Sequence, residues 1–216
     1  MFLYPANLTI IKKTERKNKK MELKNSRTYK NLVNSFAGEC MAYVRYKFMA
    51  YGAKTSKLYE IQCALKELAD NEFHHARMFY TEIQNADPNI INNLNVNAGY
   101  PFKEKWDLKQ NLELAAQTEY DESVKIYAEY AAVAHDEGFE PIAKLFELVA
   151  AVEHCHMMQL NNIRQQLCDG TLYKRGEPVK WKCSNCGHEE EGLEAPQTCP
   201  LCKSEQGYVK LDLPDN

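Results

Sequence analysis

The stretch LADNEFHHARMFYTEI, residues 68–83, decides the fold. In an α-helix, its residues Leu68, Glu72, His75, Phe79 and Ile83 fall on one face, at steps of three and four. Leucine, phenylalanine and isoleucine in such a stripe indicate a buried face. A carboxylate and an imidazole on the same face are costly to bury without a partner. The stretch therefore predicts a helix with two titratable side chains directed into the protein interior.

Three other long stretches have the same helical periodicity. The four predicted helices run from about Ser26 to Ala53, from Ser56 to Asn85, from Asp107 to Gly138 and from Phe139 to Leu167. The first and third connections are short, whereas about twenty residues rich in Asn, Pro and Gly separate the second helix from the third. At roughly 3.3 Å per residue, this connection can cross the length of a bundle. The pattern predicts a mainly α protein, a four-helix bundle with one long crossover.

Acidic residues interrupt the apolar face of each helix near mid-length. In the third helix, for example, the face continues past its two glutamates through Ile126, Tyr130 and Val133. No lysine or arginine lies on these faces, and five buried carboxylates would repel one another. Cations from outside the polypeptide are the expected solution. The interior set consists of Glu39, Glu72, His75, Glu119, Glu122, Glu153 and His156.

The spacing Glu-x-x-His occurs twice, at Glu72/His75 and Glu153/His156. One such pair alone is usually solvated, but two pairs in phase with apolar stripes indicate ligands. Residues three apart reach the same helix face and can bind one metal ion. The set predicts a two-metal carboxylate site of the bundle type, suited to iron, manganese or zinc.

The C-terminal segment contains a second candidate metal site. Two C-x-x-C motifs, Cys183/Cys186 and Cys199/Cys202, are separated by twelve residues. Four thiolates at this spacing predict a tetrahedral all-sulfur site. The spacing leaves the metal open, and a structural zinc ribbon is the alternative to an iron centre. The other four of the eight cysteines lie in predicted helices and are interpreted as small apolar residues.

Charge and hydropathy limit the classes of function. The net charge is −3, and residues 1–20 carry six Lys or Arg against one Glu, so the remainder is the more acidic part. An acidic body argues against nucleic-acid binding. No apolar run reaches the roughly 20 residues of a membrane span. We interpret residues 1–20 as a disordered extension, with an organelle address as the alternative, and expect a cytoplasmic protein. The predicted domains are a bundle over 21–168, a linker over 169–178 and a four-cysteine domain over 179–216.

The sequence resembles the rubrerythrin family over about residues 21–212. The resemblance rests on SFAGECMAYVRY, DNEFHHARMF, EYDESVKIYAEYA, VEHCHMM and the paired C-x-x-C pattern. It implies a ferritin-like di-iron bundle with a C-terminal rubredoxin-like domain, usually as a homodimer. The matching di-iron ligands are Glu39, Glu72, His75, Glu119, Glu153 and His156.

The resemblance also implies roles for the remaining site residues. Glu122 matches an additional glutamate that ligates one iron in the oxidised state, where the reduced state uses the histidine matching His75. Tyr46 and Tyr127 match tyrosines that line the site; ordinary packing would also explain them. Cys183, Cys186, Cys199 and Cys202 match the thiolate ligands of a mononuclear iron centre.

The activity implied by the resemblance is a non-haem peroxidase that protects against oxidative stress. Hydrogen peroxide would be reduced to water, with electrons from a rubredoxin or an NAD(P)H-dependent reductase entering through the four-cysteine iron. Two alternatives remain at this point. One is a ferritin-like iron storage or detoxification protein, and the other is a bundle with a structural zinc ribbon.

Overall fold

The computed structural model describes residues 21–87, 89, 96 and 107–211. These residues form the helices α1 (Arg27–Thr55), α2 (Tyr59–Ala86), α3 (Leu108–Asp121), α4 (Tyr127–Asp136) and α5 (Glu140–Asp169). Helix α1 packs along α2, and α3 and α4 pack along α5. The predicted mainly α bundle is confirmed. The N-terminal extension and most of the predicted crossover lie outside the described residues.

The helix ends follow local rules of capping. The Ser26 hydroxyl accepts the N–H of Tyr29 at 3.0 Å, and the Asp107 carboxylate accepts the N–H of Gln110 at 3.0 Å. Pro141 lies in the first turn of α5, where its missing N–H costs nothing. Gly170 ends α5 with a left-handed φ of 66°. These positions agree with the sequence-based helix boundaries within a few residues.

The predicted third helix contains a π-helical segment, Glu122–Ile126, between α3 and α4. A π turn adds one residue to the helical repeat, so the buried face moves by one position beyond it. Sequence periodicity predicted Ile126, Tyr130 and Val133 on the inner face; they are only partly buried, and Ile126 and Tyr130 pack at the edge of the core. The buried residues after Glu122 are Tyr127, Ala131 and Ala134. The π segment therefore brings Tyr127 to the inside of the bundle.

Two apolar clusters form the bundle core, one toward each end of the helices. One cluster includes Leu65, Leu112 and Leu160. The other includes Phe79, Ile83 and Phe146. The acidic and histidine side chains lie at mid-length, where α1, α2, α3 and α5 all contribute buried glutamates. Truncating a buried phenylalanine to alanine costs about 3–5 kcal/mol. The packing of the two apolar clusters therefore stabilises the helices that position the polar layer between them.

The C-terminal domain is a three-stranded antiparallel sheet in the order β2–β1–β3. Its strands are β1 (Lys174–Cys183), β2 (Glu189–Glu194) and β3 (Val209–Leu211). Residues 174–178, expected to be linker, are the start of β1, because Lys174 pairs with Glu194 in the sheet. Trp181, 1% exposed, packs with Ala195 and Val209 and donates its indole N–H to the carbonyl of Gly192.

The small domain contacts the turn between α1 and α2. The rings of Tyr59 and Tyr208 stack with centroids 4.1 Å apart. Lys57 Nζ lies 2.6 Å from Glu205 Oε1, and the Ser184 hydroxyl donates a hydrogen bond to Glu60. Within the described ranges, no helix combines the length and apolar character needed to cross a membrane.

Candidate metal centres

The two Glu-x-x-His pairs face each other across the bundle. His75 Nδ1 lies 3.1 Å from Glu72 Oε2 and 2.9 Å from Glu153 Oε1. His156 Nδ1 lies 2.7 Å from Glu153 Oε2 and 2.9 Å from Glu72 Oε1. Each histidine thus approaches the glutamate of its own helix and that of the opposite helix.

The ligand atoms form two groups of four, and within each group all atoms lie within 4.8 Å of one another. The groups share Glu72 and Glu153. The first group adds Glu39 and His75, and the second adds Glu119 and His156. Two shared carboxylates, with one further glutamate and one histidine on each side, are the donor set of a two-metal site.

The unsatisfied atoms in this cluster test whether metal ions fit. Both carboxylate oxygens of Glu153, one oxygen each of Glu72 and Glu119, and Nδ1 of His156 are buried without a hydrogen bond. His156 Nδ1 lies within 3 Å of two carboxylates, yet its contacts are not aligned as hydrogen bonds. Several ligand atoms are thus close together without forming hydrogen bonds to one another. This arrangement fits metal ions, since a buried polar group otherwise requires a hydrogen bond.

Glu39 and Glu119, the terminal glutamates, each belong to only one of the two groups. Each accepts a hydrogen bond from a tyrosine on another helix. The hydroxyl of Tyr46 on α1 donates to Glu119 Oε1 on α3, and the hydroxyl of Tyr127 on α4 donates to Glu39 Oε1 on α1. Both tyrosines are fully buried, and burial raises the pKa of each well above its usual range. They therefore remain neutral donors that fix the orientation of the two carboxylates.

Burial and mutual repulsion shift the pKa values of the carboxyl groups in the cluster. Burial, followed by the neighbouring carboxylates, raises the pKa of Glu39 and of Glu119 well above the usual range. Glu72 differs because, against the effect of burial, His156 and His75 lower its pKa to about 2. Cations at the two shared points would replace the protons that these groups otherwise hold.

The histidines of the cluster have raised pKa values. Burial alone would lower the pKa of both, but the carboxylates of Glu153 and Glu72 raise that of His75 to about 9 and that of His156 to about 10. Metal binding at Nδ1 therefore requires loss of a proton from each histidine, which makes metal uptake pH-dependent.

Glu122 lies in neither group of four, although sequence reasoning placed it with the other ligands. It begins the π segment and, at 9% exposure, is the most exposed of the seven titratable side chains in the site. Burial, then Glu153 and Glu72, raise the pKa of Glu122 to about 8. The side chain is thus beside the metal groups rather than within them, and close enough to interact with their charges.

Arg45 is a buried basic residue that the sequence reasoning missed. It is 2% exposed on α1, and its positive charge opposes the increase in the pKa of Glu122 and of Tyr46 that burial causes. The predicted seams contain no lysine or arginine, but Arg45 beside them contributes a positive charge near the carboxylates. Arg45 lies one position from the predicted seam, so helical periodicity alone gave no signal for it.

The four cysteines come together in two matched loops. The Cys183 and Cys202 sulfurs are 3.7 Å apart, as are those of Cys186 and Cys199. The N–H of Gly187 donates to the Cys183 carbonyl at 2.7 Å, and the N–H of Lys203 donates to the Cys199 carbonyl at 3.0 Å. All four sulfurs lie within 4.8 Å of one another, as a single tetrahedral metal site requires.

Both loops need a left-handed residue after their second cysteine. Gly187 has a φ of 77°, and Lys203 has a φ of 64° at the equivalent position. Glycine adopts this conformation at little cost, but lysine does not. The sequence indicated a tight loop at Gly187, whereas nothing in a lysine marks the equivalent role of Lys203.

The thiols of the polypeptide differ in acidity. Hydrogen bonds from the side chain and backbone of Ser204 and from Asn185 lower the pKa of Cys202 to about 5. For Cys186, the His188 N–H lowers the pKa, but burial and the neighbouring thiols outweigh it and raise the value to about 12. Four thiolates therefore require a cation at their centre, which a bound metal supplies.

Both the bundle and the four-cysteine domain match models of known protein families. The family model "Rubrerythrin" matches residues 30–164 and 110–180, and the model "Rubrerythrin, rubredoxin-like domain" matches residues 181–209. Rubrerythrin of Clostridium perfringens is 36% identical over 189 residues, which cover 88% of this chain and 96% of that protein. Rubrerythrin of Porphyromonas gingivalis is 34% identical over 203 residues, covering 94% and 97%.

Solved structures confirm the fold. A partially reduced nigerythrin aligns with a TM-score of 0.57 at 19% identity, covering 87% of this chain and 90% of that one. A bacterioferritin of Desulfovibrio desulfuricans aligns with a TM-score of 0.55 at 22% identity, covering 66% and 80%. The expected ferritin-like bundle with a rubredoxin-like domain is therefore confirmed, as are its di-iron and four-cysteine iron centres. The chain belongs to the rubrerythrin family.

Proposed function

We propose that this protein is a peroxidase that reduces hydrogen peroxide to water at the di-iron site. The observation that carries the proposal is the pair of four-ligand groups sharing two carboxylates, with a further carboxylate, Glu122, outside both. The proposed ligands are Glu39, Glu72, His75, Glu119, Glu153 and His156. A site that only stored or transferred metal would not need a reserve carboxylate beside a complete ligand set.

When bound, the two ferrous ions supply the two electrons that break the O–O bond of hydrogen peroxide. The protein's part is to hold the carboxylates in position and to provide protons. Tyr46 and Tyr127 fix the two terminal glutamates. Glu122, which is buried beside the site but outside both ligand groups, is placed to carry a proton at its carboxylate and release it to the reaction. Forming two water molecules from peroxide consumes two protons, so a proton donor beside the site is required.

Recharging the site requires electrons from the four-cysteine iron, for which a rubredoxin or an NAD(P)H-dependent reductase is the proposed donor. Cys186 and Leu201 are exposed on the small domain, Leu201 by 65%, and would form part of the donor's contact surface. Thiolate ligation changes its geometry little between ferrous and ferric iron, which favours rapid one-electron transfer.

A homodimer is proposed because the small domain contacts the end of its own bundle. Ser184, next to Cys183, bonds to Glu60, and Glu72 follows twelve residues later in α2. At 1.5 Å per residue, this separation is about 18 Å along the helix axis. A second chain packed alongside would bring its bundle closer to this iron. The outer faces of α1 and α2 expose Phe48, Tyr51 and Phe73 by more than half, as an interface between two copies would require.

The test separates the two centres. Elemental analysis of protein made with ample iron should give three irons per chain. Cys199→Ser should retain oxidation of chemically reduced bundle iron by one dose of peroxide, measured by stopped flow. Its steady-state turnover with reduced nicotinamide and a reductase should be lost. Zinc in both sites would overturn the peroxidase proposal, and undiminished turnover would show that electrons enter elsewhere.

The oligomeric state distinguishes an iron-storage protein from the proposed peroxidase. A storage protein forms a large hollow shell, whereas the proposal predicts a dimer by light scattering. Mutating the exposed Phe73 to Glu should shift the dimer to monomer, with no change in helix content. A large shell of many chains would favour storage.

A further inference from the structure

The ligand set has an approximate two-fold repeat that two positions break. Helices α1 and α2 provide one half of the site, and α3 with α5 provide the other. Ala42 lies three residues after Glu39 in the first half, whereas Glu122 lies three residues after Glu119 in the second half. Immediately before the Glu-x-x-His pairs, α2 has Asn71 and α5 has Val152. The corresponding ligands are Glu39 with Glu119, Glu72 with Glu153, and His75 with His156.

The Asn71 position makes the two histidines unequal. Asn71 Nδ2 lies 3.3 Å from Nε2 of His156, the ring nitrogen that points away from the carboxylates. The equivalent residue in the other half, Val152, has no group that could make this bond. Within the part of the chain that the structure describes, Nε2 of His75 has no hydrogen-bond partner. The hydrogen bond of His156 is thus at Nε2, on the side away from the carboxylates, whereas that of His75 is at Nδ1, on the carboxylate side.

We propose that Asn71 is a positioning residue that fixes His156 in its metal-binding orientation, a support that His75 lacks. The proposal rests on the two-metal site of the proposed function. A histidine that binds a metal through Nδ1 carries its hydrogen on Nε2, and a partner for that hydrogen holds the ring in place.

The Asn71 amide suits this role because it offers both an acceptor and a donor. Its Oδ1 can accept from a protonated Nε2, and a half-turn about the terminal bond presents Nδ2 to an unprotonated one. The same side chain therefore supports His156 with and without metal. A leucine would support neither form, and an aspartate would support the form with a hydrogen on Nε2.

Cobalt(II)-loaded protein tests the assignment without relying on peroxide. Each Nδ1-bound histidine gives a paramagnetically shifted N–H resonance that exchanges with solvent, and His75→Asn identifies which resonance belongs to which ring. In the wild type, the His156 N–H should exchange slowly and that of His75 rapidly. Asn71→Leu should make the His156 N–H exchange as rapidly as that of His75. Asn71→Asp should keep it slow.

Cobalt titration provides the second readout. Asn71→Leu should weaken one of the two sites by about 10- to 100-fold, the usual cost of losing a partner behind a ligating histidine, and leave the other within a few-fold. Asn71→Asp should restore the weakened site. Asn162→Leu on the exposed face of α5 is the matched control and should change neither site.

Equal weakening of both sites, or an unchanged His156 N–H exchange in Asn71→Leu, would overturn the proposal. Circular dichroism and thermal melting of each variant exclude a loss of folding as the cause. If cobalt binding behaves as expected but the iron protein fails to reduce peroxide, the proposed function fails while the role of Asn71 stands.

Discussion

The backbone of Gly207 lies directly against the backbone carbonyl of Lys57. A Cβ atom on Gly207 would overlap that carbonyl oxygen, and it would lie 2.9 Å from the carbonyl carbon and 3.0 Å from Cδ2 of Tyr59. Lys57 itself has a left-handed φ of 61° in the turn between α1 and α2. The four-cysteine domain is therefore held against its own bundle at a position where only glycine fits, rather than being merely tethered by the chain.

Gly207→Ala should release the small domain from the bundle without unfolding either part. Released, the four-cysteine iron samples a larger volume, so steady-state peroxidase turnover should fall by about tenfold or more. Oxidation of pre-reduced bundle iron by a single dose of peroxide should be unchanged. Limited proteolysis should cut residues 170–173 faster than in the wild type.

Gly176→Ala is the matched control for this variant. Gly176 lies in β1, and a Cβ there meets no atom within 4 Å. The control should match the wild type in both proteolysis and turnover. Unchanged proteolysis of Gly207→Ala, with its four-cysteine absorption intact, would show that the domain accepts the side chain and that the contact does not govern docking.

Glu122→Gln should bind two metal ions with nearly wild-type affinity, because both groups of four ligands remain complete. The reaction of the reduced protein with peroxide should slow by about 10²-fold or more, as for other losses of a positioned proton-transfer group. Cobalt titration and stopped-flow oxidation measure the two effects. Loss of one metal ion would place Glu122 among the obligatory ligands, and a wild-type rate would remove its proposed role.

Tyr127→Phe and Tyr46→Phe should each weaken a different metal position. Tyr127 donates to Glu39 in the first group, and Tyr46 donates to Glu119 in the second. Removing the hydroxyl leaves a buried carboxylate oxygen without its donor, so affinity at that position should fall by about 10- to 100-fold. Competitive titration with a chelator resolves the two sites. Tyr130→Phe, a partly buried control in the same helix as Tyr127, should bind both ions normally.

The sequence predicted the four helices and the ligand residues because both depend on a local repeat. Glutamate at apolar positions of a 3.6-residue pattern is visible without any tertiary information. The shift of the inner face from Ile126 to Tyr127 was not visible, since a π turn arises where packing and buried polar contacts outweigh one regular helical hydrogen bond. The sequence therefore placed Glu122 correctly on the inner face, but the residues it placed there afterwards lie one position from the fully buried ones.

Features that depend on contacts between distant segments were also missed. The approach of Gly207 to Lys57 joins residues 150 positions apart, and no local pattern marks it. The hydrogen bond from Asn71 to His156 requires α2 and α5 to lie side by side in one register. Lys203 has a left-handed backbone because its loop matches the loop at Gly187, although lysine has no preference for that conformation.

After a chelator has removed the metal ions, the protein should lose stability as the pH rises, the reverse of the usual behaviour of a carboxylate-rich protein. Glu122 has a folded pKa of about 8 against 4.5 for an ordinary glutamate, so the folded state holds a proton that the unfolded state has lost in this window. The histidines act in the same direction, from the ordinary 6.5 to about 9 for His75 and about 10 for His156. Within the cluster, only Glu72, with a pKa of about 2, adds stability above pH 4.5 that is lost as the pH falls. In the small domain, Cys202, with a pKa of about 5 against an ordinary 9.0, acts in the same direction as Glu72.

Stability of this form should therefore be greatest near pH 4.5 and should fall toward pH 9, by about 1.4 kcal/mol per pH unit for each proton difference. Urea unfolding at a series of pH values measures the slope. Glu122→Gln should flatten the profile between pH 5 and 8, because that carboxyl no longer titrates, whereas Glu129→Gln on the exposed face of α4 should leave it unchanged. Loading with zinc should remove the decline, since the cations replace the protons. A metal-free protein whose stability rises from pH 6 to 9 would contradict the pKa values of the cluster and, with them, the placement of five carboxylates around two shared cation positions.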